Sequence, residues 1–143
     1  MQQVANAPYQ IIREPLDARE IIDQVAAADC GAISVFIGTV RNHARGRSVL
    51  YLEYEAYDEM ALKKMAEIGE EMKRRWGVER IAIIHRAGRV EIGEASVIIA
   101  VASPHRREAL EACDFGIETL KKTVPIWKKE VWEDGEVWIG EGA

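Results

Sequence analysis

The sequence predicts an α+β domain built on a mixed or antiparallel sheet. Three observations carry that prediction. Three segments place apolar residues at helical spacing, the segments between them are short apolar or alternating runs, and those runs follow one another in pairs rather than alternating strictly with helices. The expected order is β-α-β-β-α-β-β-α-β-β. At 143 residues and 48% hydrophobic, one domain spanning 1–143 has enough apolar surface for a core. No repeat or linker divides it.

Residues 1–8 are polar or small and are expected to fray. YQIIRE reads as an edge strand that Pro15 ends. LDAREIIDQVAAA reads as a helix with Asp17 at the cap, Glu20 as its reciprocal partner, and Ile21, Ile22, Val25 and Ala26 as the apolar stripe. AISVFIGTV, residues 32–40, is apolar on both faces and is expected in the middle of a sheet. RNHARGRS follows as a loop. In SVLYLEYEAY, Leu50, Leu52, Tyr54 and Ala56 share one face, and Tyr51, Glu53, Glu55 and Tyr57 take the wetter one.

DEMALKKMAEIGEEMKRRW repeats apolar residues at Ala61, Met65, Ile68, Met72 and Trp76, and Gly77 stops that helix. ERIAIIHRAG is a strand entering a turn, and ASVIIAVA is a further apolar strand. Ser103–Pro104 reads as a helix start, with Leu110, Cys113, Ile117, Leu120 and Val124 as the stripe and Pro125 as the stop. PIWKKEVW and EVWIG flank Glu133, Asp134 and Gly135, a hairpin signal.

Charge excludes the simplest nucleic-acid coat: 19 Lys and Arg stand against 24 Asp and Glu, a formal net charge of −5. The beginning of the sequence lacks the basic start and apolar run of a signal peptide. No apolar run reaches transmembrane length, so a soluble, cytoplasmic protein is expected. Cys30 and Cys113 are far apart and read as reduced thiols. Walker, GxGxxG, GxSxG and HExxH signatures are absent, and the 3 histidines are too scattered to suggest a metal site.

Three basic clusters interrupt this acidic chain: Arg41, His43, Arg45 and Arg47; His105, Arg106 and Arg107; and Lys121, Lys122, Lys128 and Lys129. Each reads either as a solvated face or as part of an anion site, since all lie at element ends that can aim side chains. His105 and Arg106 fall in a first helical turn, where free amides already favour an anion. Lys121 adjoins the stripe residue Leu120. Lys128 lies beside Trp127, whose ring can exclude water and lower an ammonium pKa. His85–Arg86 ends a strand before Gly88 and is open to a turn, an interface or a site.

FIGTVRNHARG, LEYEAYDEMA, HRAGRVEIGEASV, SPHRREA, LKKTVPIWKKE and DGEVW, in this order from residue 36 to 138, resemble the large, catalytic subunit of molybdopterin synthase. That resemblance implies an α/β hammerhead-like fold and sulfur transfer to cyclic pyranopterin monophosphate, forming the dithiolene of molybdopterin. It implies no metal or cofactor in this subunit. The implied sulfur donor is the C-terminal Gly-Gly thiocarboxylate of a small ubiquitin-like subunit, docked on a central dimer of large subunits within a heterotetramer.

Carried over by motif, Lys121 is the leading catalytic lysine and Lys128 its companion. Arg41, His105 and Arg106 match residues that bind substrate and anions. The resemblance leaves room for Arg41 to come from the neighbouring subunit, so that dimerisation completes the site. Ala44 departs from the pattern: many relatives carry a second asparagine there, whose polar contact alanine cannot make. A different phosphorylated ligand, a binding-only module and a nucleic-acid module stand as rival readings of the same basic residues.

Overall fold

The computed structural model describes residues 7–139, so most of the segment expected to fray lies outside the described residues. Its first sheet is ordered β1 (Tyr9–Ile12), β6 (Arg80–Arg86), β8 (Ala95–Ser103), β2 (Ala32–Thr39). β1 runs parallel to β6, and the other pairs are antiparallel. β6 and β8 are apolar on both faces because both faces are covered. Ile81, Ile83, Ile99 and Val101 pack with helices α2 (Asp58–Trp76) and α3 (Arg106–Thr123). Ala82, Ile84, Ile98 and Ala100 pack with α1 (Ala18–Val25).

Local chemistry sets the helix ends. The Asp17 carboxylate accepts from the Glu20 amide at 3.3 Å, capping α1 as expected. α2 ends at Gly77, whose φ of 68° is left-handed and free of the Cβ clash other residues would meet. α2 and α3 lie side by side over the sheet, with Met72 and Cys113 in the shared core.

The second sheet is antiparallel, ordered β10 (Gly135–Ile139), β9 (Ile126–Trp132), β5 (Tyr51–Ala56), β7 (Gly88–Glu91). The β9–β10 hairpin confirms the turn signal at Glu133–Gly135. The chain leaves the first sheet at the end of β6 and enters the second as β7, so the segment read as a turn is instead a crossing between sheets.

The segment read as a loop after β2 contains a small hairpin, β3 (His43–Ala44) with β4 (Arg47–Ser48). Arg45 and Gly46, at φ 54° and 74°, form its tip, the geometry of a two-residue turn that matches strand twist. Strands of two residues carry no period that a sequence could display.

Two further expectations are corrected. β2 lies at a sheet edge, not in the middle, and Ile33 and Ile37 are 41% and 43% exposed. α1 covers only part of that face, reaching Val35. α3 begins after His105 rather than at Ser103, and the Ser103 hydroxyl donates to the His105 carbonyl instead of capping the helix. Its buried line runs through Ala109, Ala112, Cys113, Gly116 and Leu120, leaving Leu110 exposed. Small residues let α3 lie close to the sheet, and that proximity outweighs leucine's greater apolarity.

One close approach is testable. Gly69, in the middle of α2, faces the Tyr9 ring and hydroxyl so closely that a Cβ would overlap them. Gly69→Ala is expected to lower stability by about 1–3 kcal/mol through overpacking, despite alanine being the better helix former. Urea denaturation of the two proteins measures it, and equal or greater stability of the variant would refute the overlap.

Candidate functional site

A cavity of about 420 Å³ opens between the end of β2, the last turn of α3, and strands β5 and β9. Arg41, Lys121 and Lys128 line it together with Tyr54, His85 and Ser96. Phe36, Val97, Ile117 and Leu120 supply apolar wall. The volume falls within the range of small-molecule sites, roughly 300–1,000 Å³.

Three different elements deliver the cations. Arg41 follows Val40, a buried residue held by its amide to the Glu94 carbonyl at 3.1 Å and by its carbonyl to the Gly93 amide at 2.8 Å. Lys121 occupies the last turn of α3, where a cation complements the exposed carbonyls. Lys128 sits in β9 directly opposite Tyr54 of β5. Arg41 is distant in sequence from Lys121 and Lys128, which lie in consecutive elements; sheet pairing and helix packing bring the three together.

The carboxylates divide the three basic clusters into structural and free members. Arg45 pairs with the buried Glu130 at 2.7 Å, and Arg47 pairs with Asp134 at 3.2 Å while lying 4.2 Å from the Trp132 ring centre. Arg107 pairs with Glu111, Lys122 with Glu118, and Lys129 with both Glu53 and Glu136. Among the described residues, no ion pair within 4.0 Å engages Arg41, Lys121, Lys128, His105 or Arg106. Those are the five side chains that the sequence singles out for a site.

Electrostatics at Lys128 reflects this arrangement. Burial pushes its pKa below the ordinary lysine value, and the charges of Arg45, Lys121 and Arg41 push in the same direction, against the opposing pull of Glu130. Burial also raises the Tyr54 phenol, keeping it neutral. A half-buried ammonium among other cations is a place where an anion gains strongly.

His105 and Arg106 stand elsewhere. They line a shallow surface with Gly31, Ala32 and Pro104, where the Gly31 amide donates to the Pro104 carbonyl at 3.3 Å. That surface adjoins the start of β2, whereas the cleft adjoins its end, so the length of the strand puts roughly 20–25 Å between them. Arg41 shares the cleft with Lys121 and Lys128 inside one chain; the residues standing apart are His105 and Arg106.

Sequence reasoning assigned Tyr54 to a packing face and left His85 open, yet both line the cavity. The Tyr54 and His85 rings meet edge to face, 5.0 Å between centroids at 73°. His85 is buried in β6, and its Nδ1 lies 2.7 Å from the Arg86 carbonyl. No local pattern announces such a pair, because it arises across two sheets. Among the described residues, no three His, Cys, Asp or Glu side chains gather as a metal site.

An α+β hammerhead-like domain with a cationic cleft free of carboxylates is suited to holding a small anionic molecule. The family described as MoaE protein matches residues 11–123. The molybdopterin synthase catalytic subunit of Halalkalibacterium halodurans is 51% identical over 133 residues, covering 93% of this chain and 85% of that protein. The human molybdopterin synthase catalytic subunit is 47% identical over 127 residues, covering 89% and 68%. The crystal structure of molybdopterin synthase from Staphylococcus aureus superposes with a TM-score of 0.90 at 43% identity, covering 94% of this chain and 98% of that one. A complex of subunits 1 and 2 of molybdopterin-converting factor from Helicobacter pylori gives a TM-score of 0.79 at 27% identity, covering 92% and 90%. This chain belongs to the MoaE family of molybdopterin synthase catalytic subunits, which are sulfurtransferases.

His85 yields a pH prediction. Burial lowers its pKa from 6.5 to about 4, outweighing the opposing hydrogen bond to Arg86. Between those values the unfolded chain binds a proton that the folded chain does not, so stability rises with pH. Stability should therefore fall as pH drops from 6.5 toward about 4, by about 3 kcal/mol from this residue. Denaturant titrations across that range should show a shallower pH dependence in His85→Asn, and an unchanged slope would refute the assignment.

Proposed function

We propose that the cleft binds cyclic pyranopterin monophosphate and is where the chain installs the dithiolene sulfurs of molybdopterin. The observation carrying this reading is the grouping of Arg41, Lys121 and Lys128 around one cavity without a carboxylate in its lining. Both reactants, a phosphate ester and a thiocarboxylate, are anions that repel each other in water. Three cations in a partly desolvated cleft offset that repulsion and fix the phosphate.

The thiocarboxylate is supplied by the C-terminal Gly-Gly tail of a small ubiquitin-like subunit. Its sulfur attacks an electrophilic carbon of the pterin side chain: a carbon–sulfur bond forms, a carbon–oxygen bond at that carbon breaks, and the departing oxygen takes the electron pair and a proton, while the sulfur stays joined to the tail carbonyl. Water then adds to that carbonyl and the carbonyl–sulfur bond breaks. The tail leaves as a carboxylate and the sulfur stays on the pterin. A second thiocarboxylate supplies the other sulfur. Lys121 transfers a proton or stabilises charge at the reacting side chain. Lys128 positions the phosphate or the tail carbonyl.

The chain works as the central dimer of a heterotetramer. β2 is an edge strand with Ile33 and Ile37 exposed on it. Antiparallel pairing of β2 with a second copy about a two-fold axis sets the start of one strand beside the end of the other. His105 and Arg106 of one copy then approach the cleft of its neighbour, adding directional donors from a helix N-terminus. The edge location of β2 and the separation of His105 and Arg106 from the cleft both support this arrangement.

The direct test is mass-resolved conversion of cyclic pyranopterin monophosphate by the purified chain with a thiocarboxylated small subunit, using the carboxylate form as control. Product containing both sulfurs is expected only with the thiocarboxylate, and absence of product despite a stable complex refutes the reading. Lys121→Ala should abolish single-turnover product formation while leaving small-subunit binding intact; a retained rate removes Lys121 from the chemistry. Mixing inactive Lys121→Ala and Arg106→Ala chains should restore activity, because each mixed dimer contains one cleft with both residues intact. No recovery after verified subunit exchange would refute the shared site.

A further inference from the structure

We infer that His85 is a substrate-binding residue whose Nε2 accepts a hydrogen bond from an N–H group of the substrate's heterocycle. This rests on the reading of the cleft as a pyranopterin site and assigns the ring-recognising group within it. The geometry fixes the tautomer. The Nδ1 partner at 2.7 Å is the Arg86 carbonyl, which only accepts, so Nδ1 carries the proton and Nε2 carries the lone pair. Nε2 has no hydrogen-bond partner among the described residues, and the residue lines the cavity. Tyr54 packs edge to face against the imidazole and limits rotation of its plane.

The surrounding cations make that lone pair distinctive. Arg41, Lys121 and Lys128 only donate, so they serve phosphate and carbonyl oxygens but cannot receive the N–H groups of a pterin. The Ser96 hydroxyl donates to the Gly38 carbonyl at 3.2 Å, engaging that carbonyl already. His85 thus gives the cleft a nitrogen acceptor fixed in direction by the backbone. Burial lowers the pKa of the ring to about 4, so the lone pair persists at neutral pH. A cleft of cations alone would hold any phosphate ester of suitable size; an oriented acceptor selects those whose ring can donate.

His85→Asn keeps a side-chain amide able to reach the Arg86 carbonyl and removes the group at Nε2. Calorimetric titration of the intact assembled protein should show cyclic pyranopterin monophosphate binding about tenfold more weakly, the scale of one lost neutral hydrogen bond. Inorganic phosphate, the probe for the cations alone, should bind within about twofold of the unaltered protein, since no phosphate contact is removed. Equal losses for both probes, or no loss for either, overturn the inference.

A second readout needs no substitution. In ¹⁵N-histidine-labelled protein, the Nε2 resonance of His85 should move upfield on adding the pyranopterin and stay in place on adding phosphate. An unmoved resonance at saturating pyranopterin overturns the inference while leaving the functional reading standing. Failure of the unaltered protein to bind the pyranopterin at all overturns both.

Discussion

Mutual repulsion among Arg41, Lys121 and Lys128 is the constraint around which the site is arranged. Three cations converge on one cavity, and Lys128 is partly withdrawn from water as well. Arg45, Arg47, Lys122 and Lys129, from the same sequence clusters, are paired with carboxylates, and these three are not. Such an arrangement opposes folding locally and favours whatever anion enters. Glu130, the carboxylate whose charge acts on Lys128, is engaged by Arg45 at 2.7 Å. It moderates the field at Lys128 without occupying the cavity.

Holding that arrangement requires rigid support on every side. α3 is pressed onto the sheet by Ala109, Ala112, Cys113 and Gly116, which fixes where its last turn ends and therefore where Lys121 points. β9 is paired on both edges, by β5 and β10, so Lys128 has little freedom along its strand. The hairpin following Arg41 is tied back by Arg45 to Glu130 and by Arg47 to Trp132 and Asp134. These ion pairs connect the segment carrying one cation to the strand carrying another.

β2 links the cleft to the rest of the molecule. One end leads into Arg41, and the other lies beside the start of α3 with His105 and Arg106. Its apolar sequence resembles that of a buried strand, yet in the single chain it is an edge. The mismatch has a physical source: apolarity reports that a strand is covered, not what covers it. Within one chain, a fully covered strand and an edge strand that meets another molecule have the same composition.

The sequence by itself determined the α+β class, the three helices, the Asp17 cap, the Gly77 stop and the β9–β10 hairpin, because each depends on spacing or backbone preference within a few residues. It also contained the five site side chains that no carboxylate pairs, recognisable through family motifs but not separable from Arg45, Arg107 or Lys129 by residue type alone. Tertiary structure decided which cations carboxylates would neutralise, since Glu130 and Glu53 reach Arg45 and Lys129 only through folding. It also decided that Tyr54 and His85 would meet at the cleft, that Leu110 would yield its place to alanine and glycine, and that β2 would form an edge. These outcomes depend on contacts between residues distant in the chain, where local pattern carries no information about distance in space.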